Sequence, residues 1–252
     1  MQNNKWKQNQ IDIWKNEKWR SESNSSTHPD FWLSELELDS LQSNVVGSCL
    51  NVGCGAGYET NLLRENGIQA YGIDMSPEMV DAAKKNYGDH FENLDLFKIE
   101  NINSEFDTIT TRRTLINIQE EKQELAISKL AEYCGDRLVL VEGTKQGYEL
   151  LNKLRKKVGL PRIDVVDYNH PIDLDNCQRI LADLDFEIVT DYYNHYYFLT
   201  RIYYAELMDM TEENVQYNTK FHKLAYKLQK NLASDFDRNC SPHVVIKAVK
   251  KH

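Results

Sequence analysis

A glycine-rich turn between two short apolar runs constrains this chain more than any other feature of its sequence. The run Ser48–Val52 leads into Gly53, Gly55 and Gly57, and about 20 residues later a second apolar run ends at Asp74. In α/β proteins, a strand that ends in a glycine turn and a neighbouring strand that ends in an acid together bind a nucleoside. We therefore predict an α/β fold with a nucleoside site at this turn.

The spacing of the glycines argues against a dinucleotide cofactor. NAD-binding turns follow the pattern G-x-G-x-x-G, in which the third glycine lets the helix pack closely on the strand. Here the glycines follow G-x-G-x-G, and Tyr58 occupies the later position. An NAD-dependent oxidoreductase is therefore the least favoured class of enzyme.

The turn, Asp74 and the run Ser76-Pro77-Glu78-Met79 together resemble the cofactor site of the class I S-adenosyl-L-methionine (SAM)-dependent methyltransferases. The resemblance covers residues 45–145 well and the rest of the chain loosely. It implies an enzyme with SAM as cofactor and S-adenosyl-L-homocysteine (SAH) as product. It also implies that the glycine turn approaches the methionine part of SAM and that Asp74 binds both ribose hydroxyls. A turn that serves only chain geometry is the alternative.

The same resemblance suggests which other residues bind SAM. Ile99 would contact adenine through its backbone, although the usual acid is missing at Lys98 and Asp95 lies earlier. Trp19 and Arg20 would cover the methionine end, with Arg20 pairing the carboxylate; a solvated arginine beside a packed indole is the alternative. The predicted cofactor-binding residues are Asn51, Gly53, Cys54, Gly55, Gly57, Asp74, Met75, Ile99, Thr111, Trp19 and Arg20.

Beyond the turn, strand and helix patterns alternate, which is typical of a parallel sheet. The class I fold implies a Rossmann-like seven-stranded sheet in the order 3-2-1-4-5-7-6, with strand 7 antiparallel and helices on both faces. The apolar closing run 244–249 suits a strand buried on both faces. The predicted strands are 48–52, 70–73, 107–111, 137–142, 186–192 and 244–249, with a short third strand near 97–99.

The chain is expected to form a single methyltransferase domain, residues 1–252. Residues 1–44 contain all four tryptophans and are predicted to form a lid over the cofactor, with structural anchoring as the alternative. Residues 45–193 are the predicted nucleoside-binding core. The segment 194–240 is longer than ordinary loops and is predicted to be an insertion on the acceptor side, before the final strand at 241–252.

The composition of the chain disfavours some classes of binding partner. A net charge of −9, from 39 acids and 30 bases, disfavours general binding to nucleic acid or to an anionic membrane. No apolar run approaches the ~18 residues of a membrane span. The five cysteines form no C-x-x-C pair and the seven histidines no H-E-x-x-H motif, so neither a metal site nor redox chemistry is indicated. We expect a soluble, cytoplasmic protein.

Methyl transfer needs few catalytic residues, because SAM carries its own leaving group and the protein mainly orients the acceptor. Arg112, at a predicted strand end, could hold an anionic acceptor or the carboxylate of SAM; pairing with an acid such as Glu142 is the alternative. His170 and His195 are the predicted bases for a hydroxyl acceptor. Each histidine could equally be an ordinary surface residue.

The sequence therefore predicts methyl transfer from SAM to the oxygen of a small polar or anionic metabolite by in-line displacement. The run 112–118 also resembles bacterial methyltransferases that tailor polysaccharides or small molecules. Two alternatives stay open: RNA as the acceptor, which a basic surface patch would favour, and a SAM-binding protein without turnover. The sequence carries no signal for the oligomeric state.

Overall fold

The structure is a computed structural model. The predicted lid residues Trp19 and Arg20 lie outside its described residues, which are 30–102, 105–210, 216–232 and 240–251.

The elements alternate along the chain much as predicted. The strands are β1 (Cys49–Val52), β2 (Ala70–Asp74), β3 (Phe91–Asn93), β4 (Phe106–Arg112), β5 (Cys134–Gly143), β6 (Phe186–Tyr192) and β7 (His243–Lys250). The α-helices are α1 (Phe31–Gln42), α2 (Tyr58–Glu65), α3 (Pro77–Tyr87), α4 (Glu120–Tyr133), α5 (Lys145–Lys157), α6 (Leu174–Asp183), α7 (Asn194–Phe198), α8 (Tyr204–Leu207) and α9 (Lys220–Leu232). Short 3-10 helices lie at Leu96–Asn101 and Leu115–Asn117, and a π-helical turn at Leu199–Tyr203.

The strands form one seven-stranded sheet in the order β3-β2-β1-β4-β5-β7-β6. The pairs from β3 to β5 are parallel, whereas β7 is antiparallel to both β5 and β6. The predicted Rossmann-like order is therefore confirmed. Because β7 is antiparallel, its first residue, His243, lies beside Gly143 at the edge where the parallel strands end.

Helices cover both faces of the sheet. Successive residues of a strand point to opposite faces, and β5 shows this clearly. Leu138 and Leu140 belong to a core that includes residues of α4 and α6, whereas Val139 and Val141 belong to a core with α1, α5 and the helices after β6. The sheet centre is therefore apolar on both sides, as near-continuous Val, Ile and Leu runs predict.

The predicted third strand near 97–99 is wrong. The strand lies earlier, at β3, where Phe91 pairs with Gly72 and its ring is fully buried. Residues 97–99 instead belong to the 3-10 helix Leu96–Asn101, whose start is capped by the Asp95 carboxylate accepting from the Phe97 N–H at 3.1 Å. The apolar residues Leu96 and Ile99 are three apart, which places both on the core side of such a helix.

The aromatic residues that follow β6 are helical. Tyr196 and Tyr197 of α7 are buried and pack with Leu33 and Leu36 of α1. Helix α9 begins at Lys220. These helices and α1 pack with Val139 and Val141 on one face of the sheet, and α1 reaches the end of β4 through the contact of Glu37 with Arg112.

Candidate functional site

The glycine turn has an open backbone edge at its centre. Gly53, Gly55 and Gly57 all have positive φ, at +74°, +53° and +88°, a conformation that residues with side chains rarely adopt. A methyl group on Gly53 would meet Thr114, and one on Gly57 would meet the ring of Phe91. One on Gly55 would meet nothing within 4 Å. Of the three glycines, only Gly55 therefore has open space where a side chain would begin.

Asp74 ends β2 directly opposite this turn. Its Oδ2 accepts the Gly55 N–H at 2.9 Å, and its Oδ1 accepts the Ser76 N–H at 2.8 Å. Burial raises the pKa of Asp74, and the two backbone bonds oppose that rise. The bonds fix the carboxylate at the mouth of the turn, where its remaining lone pairs can accept hydroxyl donors.

A pocket of about 50 Å³ lies between the turn, Asp74 and the segments after β3 and β4. This volume is smaller than a nucleoside. Ile99 is buried in the core and does not line the pocket; the segment's contribution comes from residues just before it. The lining residues are Val52, Gly53, Asp74, Met75, Leu94, Asp95, Leu96, Phe97, Thr114, Asn117 and Ile118.

Asn51 and Cys54 lie behind the turn. The Asn51 side chain is buried and donates to the Thr60 hydroxyl of α2 at 3.2 Å. Cys54 is buried as well, and burial raises the pKa of its thiol well above the usual value. Both residues therefore shape the turn from inside the domain, and the Cys54 thiol is held in its unreactive, protonated form.

Thr111 and Glu142 organise the segment that follows β4. Glu142 is fully buried; it accepts the Thr111 hydroxyl at 2.8 Å and the backbone N–H groups of Thr114, Leu115 and Ile116. Burial raises the pKa of Glu142 to about 7. Its four donors hold the 3-10 turn whose residues Thr114 and Asn117 line the pocket.

Arg112 is paired with acids, but not with Glu142. Its Nη1 lies 2.9 Å from the Ser34 hydroxyl and 3.3 Å from a Glu37 oxygen, and its Nη2 pairs with Glu59. The arginine side chain is only 6% exposed. Arg112 thus links the end of β4 to α1 and α2, and its charge is compensated without a ligand.

Arg113 shares this cluster in an unusual conformation. Its φ is +54°, which is uncommon for a residue with a side chain, and its N–H donates to the Val141 carbonyl at 2.8 Å. Its Nη2 lies 2.6 Å from Glu37. The left-handed conformation turns the chain at the end of β4, so that the side chains of Arg112 and Arg113 both reach the buried carboxylate of Glu37.

His243 is a site residue that the sequence analysis missed. It is buried, and its Nδ1 lies 2.8 Å from Glu37 Oε1. Its ring packs near those of Tyr148 and Tyr197, with centroids 6.4 and 6.2 Å away. The available signal was topological: an antiparallel last strand starts at the edge where the parallel strands end, so the histidine opening the run 243–249 had to lie there.

The two histidines predicted from sequence lie in different places. His170 is half-buried, and its backbone is tied to the segment after β4: its N–H donates to the Ile116 carbonyl, and its carbonyl accepts from Gln123. His195 is half-buried in α7, directly after β6. His170 is thus placed beside the turn that lines the pocket, and His195 within the helical cover.

Neither a metal site nor a membrane-spanning helix is found in the part of the chain that the structure describes. No group of three or more His, Cys, Asp or Glu side chains could hold a metal ion there. None of the described helices is long and apolar enough to cross a membrane. All five cysteines are buried free thiols.

Comparisons with known proteins agree with this geometry. A family model described as a methyltransferase domain matches residues 49–137, which run from β1 into β5. No curated protein matches the chain.

Among solved structures, the chain is similar to magnesium protoporphyrin IX methyltransferase from Synechocystis PCC 6803 with bound SAM: 18% identity over 90% of this chain and 87% of that one, TM-score 0.52. It is similar to a SAM-dependent methyltransferase from Archaeoglobus fulgidus, with 14% identity over 86% and 94% and a TM-score of 0.55. It is also similar to the plantazolicin methyltransferase BpumL in complex with SAH, with 13% identity over 98% and 90% and a TM-score of 0.54.

At these identities the solved structures show the fold, and the family model adds a match to a methyltransferase domain over part of the chain. The residues of the turn fit SAM, because the space beside Gly55 is open and the Asp74 carboxylate is oriented next to it. Residues 49–137 match the methyltransferase domain family, and the chain has the fold of SAM-dependent methyltransferases.

Proposed function

We propose that the chain transfers the methyl group of SAM to an oxygen of a small polar or anionic metabolite by in-line displacement. The observation that carries this proposal is the helical cover at the edge of the sheet, where α1 packs on Tyr196 and Tyr197 and is tied through Glu37 to the end of β4 and the start of β7. A covered site favours a small acceptor. The net charge of −9 supports the same class, because nucleic-acid binding needs clustered positive charge.

When bound, SAM supplies an electrophilic methyl group together with its leaving group. Asp74 would hold the ribose hydroxyls and the open edge of Gly55 would hold the methionine part. Thr114 and Asn117 also line the pocket, and Glu142 holds their segment in place by accepting the Thr114 N–H. The task left to the chain is to orient the acceptor oxygen and to exclude water.

A hydroxyl acceptor needs a base, and we propose three candidates. His170 and His195 follow from the sequence, and His243 is added because it lies buried at the edge where β4 and β5 end. Burial lowers the pKa of His243, so its imidazole is neutral near pH 7 and can take a proton. Burial opposes ionisation of Glu37, but Arg113, His243 and Arg112 outweigh it and hold the pKa of Glu37 well below its usual range. A carboxylate beside His243 stabilises the protonated ring.

Arg112 is proposed to position α1 and α2 around the acceptor rather than to neutralise an anion on its own. Its partners Glu37 and Glu59 already supply negative charge on two sides. An anionic group of the acceptor would therefore need a positive charge other than that of Arg112.

The decisive experiment measures SAH release from SAM by the purified chain, offered separate pools of anionic metabolites, neutral metabolites and RNA. We expect turnover in a small-molecule pool, and with ¹³C-methyl SAM an O-methyl carbon signal in the product. Arg112→Ala should lower turnover, whereas the exposed Arg179→Ala control should not. Turnover confined to the RNA pool would show that the acceptor is RNA rather than a small metabolite. SAH binding without turnover in any pool would indicate a binding protein.

A further inference from the structure

A second, larger cavity lies beside the end of α5 and the residues that follow α7. It has a volume of about 350 Å³ and is bounded by the end of α5, the loop after it and the π-helical turn. It shares no lining residue with the pocket at Asp74. Small-molecule sites begin at roughly 300 Å³, so this cavity can hold a metabolite.

The charge of the cavity is opposite to that of the whole chain. Its described lining contains three arginines, Arg155, Arg162 and Arg201, and one carboxylate, Asp164. The chain as a whole has a net charge of −9. A concave site with local positive charge concentrates anions, even on an acidic protein.

Arg155 is the arginine of the lining whose charge is least compensated by neighbouring groups. It is only 5% exposed, its Nε donates to the Pro161 carbonyl at 2.8 Å, and its Nη1 donates to the Arg201 carbonyl. Among the residues described, no carboxylate lies within ion-pairing distance of it. Burial, together with the neighbouring Arg201 charge, lowers the pKa of Arg155. A buried cation held only by carbonyl groups is costly, and an anion in the cavity would offset that cost.

Arg201 differs from Arg155 because its charge is already compensated. Its Nη2 pairs with the buried Asp30, and its guanidinium lies 4.9 Å from the ring centroid of Tyr217 and 5.7 Å from that of Tyr197. Arg201 therefore forms a rigid wall. Its backbone carbonyl, rather than its charge, orients Arg155.

Arg162 lies at the open side of the cavity. It pairs with Asp164 at 2.9 Å, but the two side chains are 67% and 72% exposed. Such a solvent-exposed pair contributes little stability and exchanges readily for another partner. Arg162 can thus turn to a ligand without loss of a buried contact.

The backbone around the cavity is also unusual. Thr200 and Arg201 belong to the π-helical turn Leu199–Tyr203, and both line the cavity. Single π-helical turns are rare, and they occur frequently at functional sites. This observation is independent of the charges and points to the same place.

We propose that this cavity binds a small molecule through a carboxylate or phosphate group held by Arg155 and Arg162. Apolar residues of the lining, including Ile163 and Met210, would pack on the carbon skeleton of that molecule. The site goes beyond the proposed methyl transfer, and its occupancy is measurable without SAM.

The test is isothermal titration calorimetry on the purified full chain, at constant ionic strength in chloride, with pyrophosphate and with succinate as separate probes. We expect saturable binding of at least one probe. Arg162→Ala and Arg155→Lys should each weaken that binding by about 5- to 50-fold, because each removes a charge-assisted hydrogen bond or its fork geometry. The exposed Arg179→Ala, on α6, is the matched control and should bind like the wild type.

The probe that binds more tightly assigns the ligand to the phosphate or the carboxylate class. Binding of neither probe beyond chloride would overturn the proposal. So would binding that Arg162→Ala leaves unchanged, and this exposed side chain can be removed without disturbing the fold. Equal weakening in Arg179→Ala would show surface binding only, which also overturns it.

Discussion

The carboxylate of Glu37 lies 2.8 Å from Nδ1 of His243, although 206 residues separate the two in the chain. The contact joins α1 to the first residue of β7, and the same carboxylate pairs with Arg113 at the end of β4. Three elements that are distant in sequence therefore meet at one fully buried acid. This acid fixes the cover over the edge of the sheet where we propose that the acceptor binds.

Substitution Glu37→Gln should destabilise the fold by about 3–5 kcal/mol, because it leaves Arg112 and Arg113, whose side chains are only 6% and 17% exposed, without one of their carboxylates. Urea unfolding measures this loss as a lower midpoint. Glu35→Gln is the control on the same helix: burial and then Asp39 raise the pKa of Glu35, so its negative charge is not stabilised by the fold. Equal midpoints for the two variants would contradict the structural role of Glu37.

Asp74→Ala should weaken SAH binding by about 1–3 kcal/mol, since it removes a charged acceptor of ribose hydroxyls. Asp74→Asn should lose less, because one oxygen can still accept a backbone N–H from Gly55 or Ser76. Calorimetric titration with SAH gives both values. The exposed Asp183→Ala serves as the control, and unchanged affinity in a folded Asp74→Ala variant would remove Asp74 from the cofactor site.

Local patterns explain why the glycine turn and the strands beside it were predictable. The glycines and Asp74 lie within short runs, where strand, turn and helix signals follow one another directly, whereas the sheet order followed from the resemblance to class I methyltransferases. The position of β3 was predicted wrongly because Phe91–Asn93 is only three residues long. It has one buried side chain, which is too few to give a recognisable hydrophobic period.

The acceptor half depends on pairings between distant segments, which no local pattern reveals. Arg112 meets Glu37 from 75 residues away, and Arg201 meets Asp30 from 171 residues away. The sequence placed Arg112 at a strand end, as the structure does, but could not identify the acids beside it. Topology alone could have located His243, because the direction of β7 fixes which end of the strand reaches the site.

Stability should fall in mild acid partly through His222. Burial, reinforced by Arg201, lowers the pKa of His222 to about 4, from 6.5. Between these values the unfolded chain binds more protons at this site than the folded protein, so its contribution to the free energy of unfolding decreases as the pH drops from 6.5 to 4. His222→Gln should therefore lose stability less steeply than the wild type over this range, in urea unfolding at several pH values. Parallel slopes would contradict the lowered pKa.

A comparison with Gly67 separates two effects of replacing Gly55: the backbone strain of a side chain at positive φ, and the loss of the open space beside the turn. Both glycines have positive φ and both have free space where a side chain would begin, but Gly67 follows α2, away from the turn. Gly55→Val and Gly67→Val should each lose about 1–2 kcal/mol of stability, because a valine is strained in the left-handed conformation. Only Gly55→Val should also lose SAH affinity, by about tenfold or more, since its side chain would occupy the space that the cofactor needs. Retained SAH binding in Gly55→Val, with the stability loss present in both variants, would mean that the turn serves chain geometry alone.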